Sequence, residues 1–165
     1  MRLVDIYLIQ HAEAKPKEID PEQPLTDVGI CAIEKIAEHI LKLKVELGEI
    51  YHSGKLRSIQ TAKILAERLG AMERVKMRQG LEPLDDVKRT VDWLKQQELQ
   101  GIKSITIIGH LPFLGKLASI LLTCDESAGV ISFHHAGIVK LASRSDGRGF
   151  VVDWILTPEL VSRNP

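Results

Sequence analysis

The sequence predicts a three-layer α/β/α sandwich whose mostly parallel sheet ends in an antiparallel edge. Segments rich in large apolar and β-branched residues alternate with segments of helical periodicity, as expected of parallel strands joined by crossover helices. Residues 3–10 and 104–108 are largely apolar, which is typical of strands buried on both faces. The last third differs, because residues 137–142 and 150–156 flank a turn at 145–149 and predict a hairpin.

The first unit is a strand at residues 3–10, a polar loop at 14–24 and a helix. Thr26 follows the loop, and its hydroxyl makes it a preferred residue for the N-cap of that helix. Apolar residues then recur at the spacing of one helix face. They form a stripe of Ile33, Ile36, Ala37, Ile40 and Leu41.

Two further units keep the order of strand and then helix. Residues 49–53 predict a short strand, and residues 56–69 predict a helix that ends at Gly70, because glycine suits the left-handed conformation of a helix end. In the next unit residues 75–78 predict a short strand. Either aspartate of the pair at 85–86 can cap the helix that follows.

The fourth unit supplies the last predicted parallel strand. Residues 104–108 are a β-branched run, and His110 follows the strand closely. Pro112 then lies in the first turn of the next helix, where a missing backbone N–H is tolerated.

Length and composition favour one globular domain over residues 1–165, because domains commonly contain about 100 to 200 residues. The 22 basic residues balance the 22 acidic residues, so no overall positive charge favours a nucleic-acid partner. No apolar run is long enough to span a membrane, and the N-terminal residues lack the pattern of a signal peptide. We therefore expect a cytoplasmic protein without nucleic-acid or membrane partners; its oligomeric state is not indicated.

The two cysteines match neither a disulfide framework nor a zinc site. Cys31 lies within the first helical pattern and is predicted to be a buried filler of the core. The loop of cysteine-dependent phosphatases needs an arginine six positions after the cysteine. The residue at that position is Ala37 for Cys31 and Val130 for Cys124, so the arginine is missing in both cases. A thiolate nucleophile is therefore not indicated.

Three polar side chains follow predicted strands at their carboxyl ends, where open α/β sheets bind ligands. His11 follows the first strand, Arg57 opens the helix after the second, and His110 follows the strand at 104–108. Two imidazoles and a guanidinium at one sheet edge, two of them at helix N-termini, form a cationic nest suited to phosphate. Histidine can also act as a nucleophile or a proton carrier. An isolated histidine more often satisfies a turn, but the coincidence of three residues favours a site.

Four motifs around these residues follow the order found in the histidine phosphatase superfamily, also called phosphoglycerate mutase-like. Residues 10–12, Gln-His-Ala, stand where the family has Arg-His-Gly or Arg-His-Ala. Residues 25–29 match Leu-Thr-x-x-Gly, 53–62 match Ser-x-x-x-Arg-x-x-x-Thr-Ala, and 109–110 match the late Gly-His. The chain is thus identified as a member of this family. Its short length and its HAEA and GHLP segments resemble the SixA-type phosphohistidine phosphatases.

The resemblance implies a phosphoglycerate mutase-like fold and a role for each residue of the cluster. His11 would be the nucleophile that becomes phosphorylated, while Arg57 and His110 would bind and stabilise the phosphoryl group. No cofactor is implied. No metal is expected either, because the cluster supplies its own positive charge and the chain has no carboxylate-rich metal motif.

Gln10 departs from the family pattern, which has an arginine immediately before the nucleophile. Arginine offers a fixed charge and a fork of donors to phosphate oxygens, whereas glutamine offers a neutral amide. Gln10 is still a candidate substrate-binding residue. Loss of one charged contact at a phosphoryl-transfer site costs on the order of a hundredfold in rate, by analogy with other transition-state donors.

Glu82 has two interpretations. It lies in the region where mutases and many acid phosphatases of the family place a general acid, and it also fits an exposed loop carboxylate. A phosphohistidine substrate releases an imidazole, which can leave without a strong acid. The SixA-like interpretation therefore does not require Glu82.

The remaining histidines are weaker candidates. His134 and His135 precede the hairpin, and adjacent residues of a strand point to opposite faces, so the pair is a poor metal chelate. His135 is retained as a candidate substrate contact. His39, on a polar helix face, and His52, in a short strand, are predicted to be structural.

Three hypotheses about function remain open. The first is a metal-independent phosphatase that works through phospho-His11 on phosphohistidine in proteins. The second is a phosphate-binding signalling module in which catalysis is weakened or lost because Gln10 stands in place of the family's arginine. The third is a phosphatase of small phosphate esters, although the absence of a long lid insertion favours a bulky substrate.

Overall fold

The computed structural model describes residues 4–162, which form a six-stranded sheet between helices. The strands are β1 (Asp5–Gln10), β2 (Glu49–His52), β3 (Val75–Met77), β4 (Ser104–Gly109), β5 (Ile138–Ser143) and β6 (Phe150–Leu156). The helices are α1 (Asp27–Leu43), α2 (Leu56–Leu69), α3 (Val87–Leu99), α4 (Phe113–Thr123) and α5 (Pro158–Val161), with a 3-10 turn at Met72–Arg74. The predicted strand start at residue 3 lies outside the described residues.

The sheet order is β3-β2-β4-β1-β5-β6. Strands β3, β2, β4 and β1 are parallel, and β5 is antiparallel to both β1 and β6. Among the described strands β5 alone therefore runs against the others, because β6 returns to the direction of β1. The prediction of a mostly parallel sheet with an antiparallel hairpin at one edge is confirmed.

Two apolar cores lie on opposite faces of this sheet. Alternate residues of β1 enter different cores: Tyr7 and Ile9 pack towards α1 and α2, whereas Ile6 and Leu8 pack towards α3 and α4. Such double burial explains why the central strands lack the alternation of polar and apolar residues seen in half-exposed sheets. The three layers of the predicted sandwich are thus present.

The helix ends agree closely with the sequence prediction. The Thr26 hydroxyl accepts a hydrogen bond from the Gly29 N–H at 3.0 Å and so caps α1. Gly70 ends α2 at φ 64°, a left-handed conformation that costs glycine little. Asp86 is the aspartate that caps α3, since its carboxylate accepts from the Lys88 N–H at 2.9 Å.

Two predicted core residues of α1 are exposed instead. Leu41 is 55% exposed because it lies roughly 100° around the helix from Ile40, beyond the edge of the buried stripe. Cys31 was predicted to be buried, and this is wrong: it precedes Ile33 by two positions, roughly 200° around the helix, and faces outward. Cys124 is exposed as well.

Within residues 4–162 the structure contains no helix that is both long enough and apolar enough to cross a membrane.

Candidate active site

The parallel register brings three chain segments together at one edge of the sheet. Gln10 pairs with Gly109, and His52 pairs with Ile108, so the residues that follow β1, β4 and β2 are neighbours. The His11 N–H donates to the Gly109 carbonyl at 3.0 Å. His11, His110 and Ser53 therefore share the carboxyl edge of the sheet, as predicted for the two histidines.

His11 is held in one tautomer by its own backbone neighbour. Its Nδ1 lies 2.8 Å from the Ala12 carbonyl oxygen, which can only accept, so Nδ1 carries the proton and donates it. Nε2 then has a lone pair and accepts from Arg57 Nε at 3.3 Å. The Thr61 hydroxyl fixes Ala12 by accepting from its N–H at 3.0 Å. The arrangement leaves His11 Nε2 as an oriented nucleophilic nitrogen beside a guanidinium.

Arg57 is the second residue of α2 and points towards His11. Besides Nε, its Nη1 donates to Gln23 Oε1 at 3.3 Å. Gln23 lies in the loop before α1 with φ 51°, in the left-handed region that non-glycine residues seldom occupy. Sequence reasoning missed Gln23, because nothing in a polar loop marks one amide as a partner of a distant arginine.

His110 packs beside His11 and is almost wholly buried, with 2% of its surface exposed. The two imidazole rings have their centroids 5.1 Å apart. His110 Nε2 lies 2.6 Å from the Ser53 hydroxyl, and His110 Nδ1 is buried without a hydrogen-bond partner among residues 4–162. One nitrogen of His110 is therefore anchored, and the other is left with unused hydrogen-bonding capacity.

Burial keeps both histidines neutral at pH 7. It lowers the pKa of His11 to about 4, and the charge of Arg57 acts in the same direction while the bond to Ala12 opposes it. Burial also lowers the pKa of His110 to about 3, helped by His11, Arg57 and Lys55. The predicted cationic nest is thus wrong in its charges. Arg57 carries the positive charge of the cluster, and the imidazoles contribute neutral nitrogens.

Gln10 lies at the end of β1 and is buried, with 8% of its surface exposed. Its carbonyl accepts from the Ala136 N–H at 2.9 Å, which ties the strand end to the segment before β5. Within the described part of the chain its side-chain amide makes no hydrogen bond. The amide borders a groove beside the histidine cluster and is free to meet a ligand there.

The groove has a volume of about 850 Å³ and runs from Gln10 and His135 between α1 and α5. Its lining is mainly apolar and includes Val28, Cys31, Ala32, Leu111, Phe133 and Pro158. Carboxylates of Glu13, Asp27 and Glu159 stand along it, together with the ammonium group of Lys35. Cys31, which is exposed on α1, forms part of this wall.

His135 adjoins His11 and His134 does not. His135 Nδ1 donates to the His11 carbonyl at 2.9 Å, and the two rings have their centroids 5.3 Å apart. His134 Nδ1 instead lies 3.8 Å from Glu159 Oε2 across the groove. The two imidazoles thus contact different groups, in line with the argument that they form a poor metal chelate.

Glu82 and His52 lie near the cluster and bind neighbouring residues of it. Glu82 is exposed, and its carboxylate lies 3.5 Å from Lys55 Nζ at the start of α2. His52 accepts from the Gly54 N–H at 3.1 Å and so stabilises the turn after β2. In residues 4–162 no group of three or more His, Cys, Asp or Glu side chains is placed to hold a metal ion.

The sequence profile of the histidine phosphatase superfamily (branch 1) matches residues 6–86, a span that contains His11 and Arg57. The chain belongs to the histidine phosphatase superfamily. Within it the chain is similar to the SixA-type phosphatases. The family supports phosphatase activity, the hydrolysis of phosphorylated substrates.

Individual relatives agree with this membership. An uncharacterized protein of Picosynechococcus sp. (strain ATCC 27264 / PCC 7002 / PR-6) is 28% identical over 144 residues, covering 85% of this chain and 86% of the relative. Phosphohistidine phosphatase SixA of Escherichia coli (strain K12) is 24% identical over 156 residues, covering 94% of each chain. The structure of the protein histidine phosphatase SixA complexed with tungstate has the same fold, with a TM-score of 0.85 at 22% identity over 96% of this chain and all of that one (100%).

The structure brings together the three side chains that the sequence singled out, but sequence reasoning missed the contacts that orient them. Ser53 and Thr61 stand within the motif at residues 53–62, which was a usable signal, but the pattern does not say what they bind. The hydroxyl of Thr61 donates to the Arg57 carbonyl at 2.7 Å and accepts from Ala12. It therefore connects the start of α2 to the loop that carries His11.

Proposed function

We propose that this protein is a metal-independent phosphatase that acts on phosphohistidine in proteins through a phosphorylated His11. The observation that carries the proposal is the geometry of His11, whose Nδ1 proton is bound by a carbonyl and whose Nε2 lone pair lies beside Arg57. A neutral imidazole with an unprotonated nitrogen is the nucleophilic form, and burial keeps His11 in that form at pH 7.

The reaction divides into two transfers of the phosphoryl group. In the first, His11 Nε2 forms a bond to phosphorus, the bond to the substrate nitrogen breaks, and the released imidazole takes a proton from solvent. In the second, water attacks phosphorus, the bond to His11 breaks, and its electron pair returns to Nε2 while the water proton passes to solvent. Arg57 stabilises the phosphoryl oxygens in both steps, because its charge is fixed next to the reacting nitrogen.

Three observations support phosphohistidine in a protein as the substrate. An imidazole leaving group needs no strong acid, and the carboxylate of Glu82 is engaged with Lys55. The groove of about 850 Å³ begins at Gln10 and His135 beside the cluster and runs between α1 and α5, which supplies a surface for the polypeptide that carries a modified histidine. The Escherichia coli relative named phosphohistidine phosphatase SixA is similar along 94% of this chain.

A phosphate-binding module with weakened catalysis is the second candidate, and Gln10 favours it. Its amide replaces the family's arginine and adds no charge to the cluster. Such a module would keep phosphate affinity through Arg57 and lose turnover. The two candidates therefore differ in one measurable quantity, the turnover that depends on His11.

The test compares wild type, His11→Ala and the control His39→Ala on an aryl phosphate and on a phosphohistidine peptide. We expect turnover and an acid-labile, base-stable phosphoryl label, trapped by rapid quenching, in wild type and in His39→Ala. His11→Ala should show neither. Label that persists in His11→Ala would refute the nucleophile. Phosphate binding without any turnover in wild type would favour the binding module, and faster hydrolysis of the aryl phosphate would refute the preference for phosphohistidine.

A further inference from the structure

A buried chain of hydroxyl groups connects His110 to the start of α2. His110 Nε2 lies 2.6 Å from Ser53 Oγ, which lies 2.9 Å from Ser58 Oγ, which in turn lies 2.8 Å from the Lys55 carbonyl oxygen. Ser58, His110 and Ser53 are 0%, 2% and 4% exposed. Solvent therefore does not compete for these protons.

The carbonyl at the end of the chain sets the direction of every bond in it. The Lys55 carbonyl can only accept, so Ser58 uses its one proton there and can only accept from Ser53. Ser53 then donates its one proton to Ser58 and must accept a hydrogen bond from His110 Nε2–H. The Lys55 N–H also donates to Ser53 Oγ, at 3.3 Å, so this oxygen accepts two hydrogen bonds, one for each of its lone pairs. Only this direction makes all three contacts hydrogen bonds.

We propose that Ser53 and Ser58 are positioning residues that hold the neutral His110 in its Nε2–H tautomer, so that Nδ1 presents a lone pair to the phosphoryl site. Nδ1 is buried and has no partner among residues 4–162, and its ring stands 5.1 Å from that of His11. In this state His110 is an acceptor. It cannot donate a hydrogen bond to a fully deprotonated phosphoryl group.

A consequence for catalysis rests on the proposed function. A singly protonated phosphoryl group can donate its own P–O–H proton to Nδ1, whereas the dianion cannot. The groups that face His110 are His11 after β1 and Lys55 and Arg57 at the start of α2, and none of them is a carboxylate that would raise its pKa. Phosphate monoesters lose this proton near pH 6. We therefore expect kcat/KM to fall up to about tenfold per pH unit above about pH 6.

Nitrogen-15 NMR of histidine-labelled protein tests the tautomer without any substrate. Long-range proton–nitrogen correlations should show that His110 of wild type is protonated at Nε2 and unprotonated at Nδ1. In Ser58→Ala the Ser53 hydroxyl, freed from its acceptor, should donate to Nε2 and move the ring proton to Nδ1. Ser53→Thr keeps the hydroxyl and should keep the wild-type tautomer. Ser119→Ala removes an equally buried serine hydroxyl in α4 and controls for general loss of packing.

Kinetics with phosphotyrosine as the probe give a second measurement. The fall of kcat/KM above about pH 6 should appear in wild type and Ser119→Ala and flatten in Ser58→Ala, whose Nδ1–H can donate to the dianion. His110 protonated at Nδ1 in wild type, or an unchanged tautomer in Ser58→Ala, would overturn the proposal. If the NMR results hold but no variant turns over any phosphate, the proposed function fails and the tautomer assignment stands.

Discussion

At the scale of single residues, the side chains of the cluster are oriented by hydrogen bonds and desolvated by burial within the protein itself. His11 is neutral with an unprotonated Nε2, because its one ring proton on Nδ1 is donated to the Ala12 carbonyl and burial lowers its pKa to about 4. Arg57 supplies the charge that the buried imidazoles do not. Under the proposed function, this division predicts that the rate depends most on the charge of Arg57 and on whether position 10, beside His11, carries a charge.

Arg57→Ala should lower kcat/KM by at least about a hundredfold, which is about 2.7 kcal/mol of transition-state stabilisation. Arg57→Lys should recover only part of it, because an ammonium group lacks the fork that donates to Gln23 and His11 together. EDTA should change neither variant nor wild type. Steady-state kinetics on phosphohistidine peptide measure kcat/KM of wild type, Arg57→Ala and Arg57→Lys, each with and without EDTA.

Arg68→Ala is the matched control for Arg57, since Arg68 lies on the same helix and pairs with Glu34 on the surface. Its kcat/KM should equal that of wild type. A loss of activity with EDTA that a divalent ion restores would contradict the metal-free mechanism.

Gln10→Arg should raise kcat/KM by about ten to a hundredfold, or roughly 1.4 to 2.7 kcal/mol. The Gln10 amide has no hydrogen bond to lose among residues 4–162, and the groove beside it has room for a longer side chain. A guanidinium there would add a charged contact to the phosphoryl oxygens.

The near-isosteric Gln10→Glu is the control, and its negative charge should lower kcat/KM instead. Unchanged or lower kcat/KM in a folded Gln10→Arg would mean that the amide is an adapted part of this site. The binding module would then gain support if wild type is also inactive.

At the scale of elements, the start of α1 and the loop after β1 form one packed unit. The Thr26 N–H donates to the Glu13 carbonyl at 2.9 Å, and the Thr26 hydroxyl donates to Glu13 Oε1 at 2.6 Å. Gly29 lies so close that a Cβ there would overlap the Glu13 carbonyl oxygen. The helix therefore supports the loop that follows His11, which gives the Leu-Thr-x-x-Gly motif a physical reason.

Gly29→Ala should destabilise the protein by about 1–3 kcal/mol, because its methyl group meets rigid backbone. Gly115→Ala is the matched control in the first turn of α4, where the nearest atom to a new Cβ is Leu111 Cδ2 at 3.9 Å. That variant should gain about 0.5–1 kcal/mol from helix propensity. Urea unfolding measures both, and equal effects of the two substitutions would contradict the close approach at Gly29.

At the scale of the whole molecule, two buried neutral histidines make stability depend on pH. Their folded pKa values, about 4 for His11 and about 3 for His110, lie below the usual 6.5. Between these folded values and about pH 6.5 the unfolded chain therefore binds more protons than the folded chain. The free energy of unfolding consequently rises with pH across that window. The penalty is absent above about pH 6.5 and complete below the folded values.

We expect the free energy of unfolding to decrease as pH is lowered from about 6.5 to about 4, with each histidine adding up to about 1.4 kcal/mol per pH unit to the slope. His11→Asn and His110→Asn each remove one titrating group and should flatten the slope. Urea unfolding at a series of pH values measures it, and a variant with the wild-type slope would show that its histidine is not the source.

The order of strands and helices was predictable from the sequence by itself, because it follows from local periodicity and end signals. Thr26 and Gly70 mark helix ends through their own backbone preferences, and buried parallel strands are apolar on both faces. The three central residues of the site were predictable for the same reason. A residue that directly follows a strand reaches the ligand-binding edge of the sheet whatever the order of the strands.

Only the tertiary structure decided how those residues are oriented, charged and surrounded. Ser53 meets His110 across 57 positions of sequence, and Gln23 meets Arg57 across 34. Such contacts depend on the sheet order and on loop conformation, which leave no local pattern in the chain. Burial is likewise a property of the packed molecule, so the neutral state of both imidazoles emerges only when the layers are assembled.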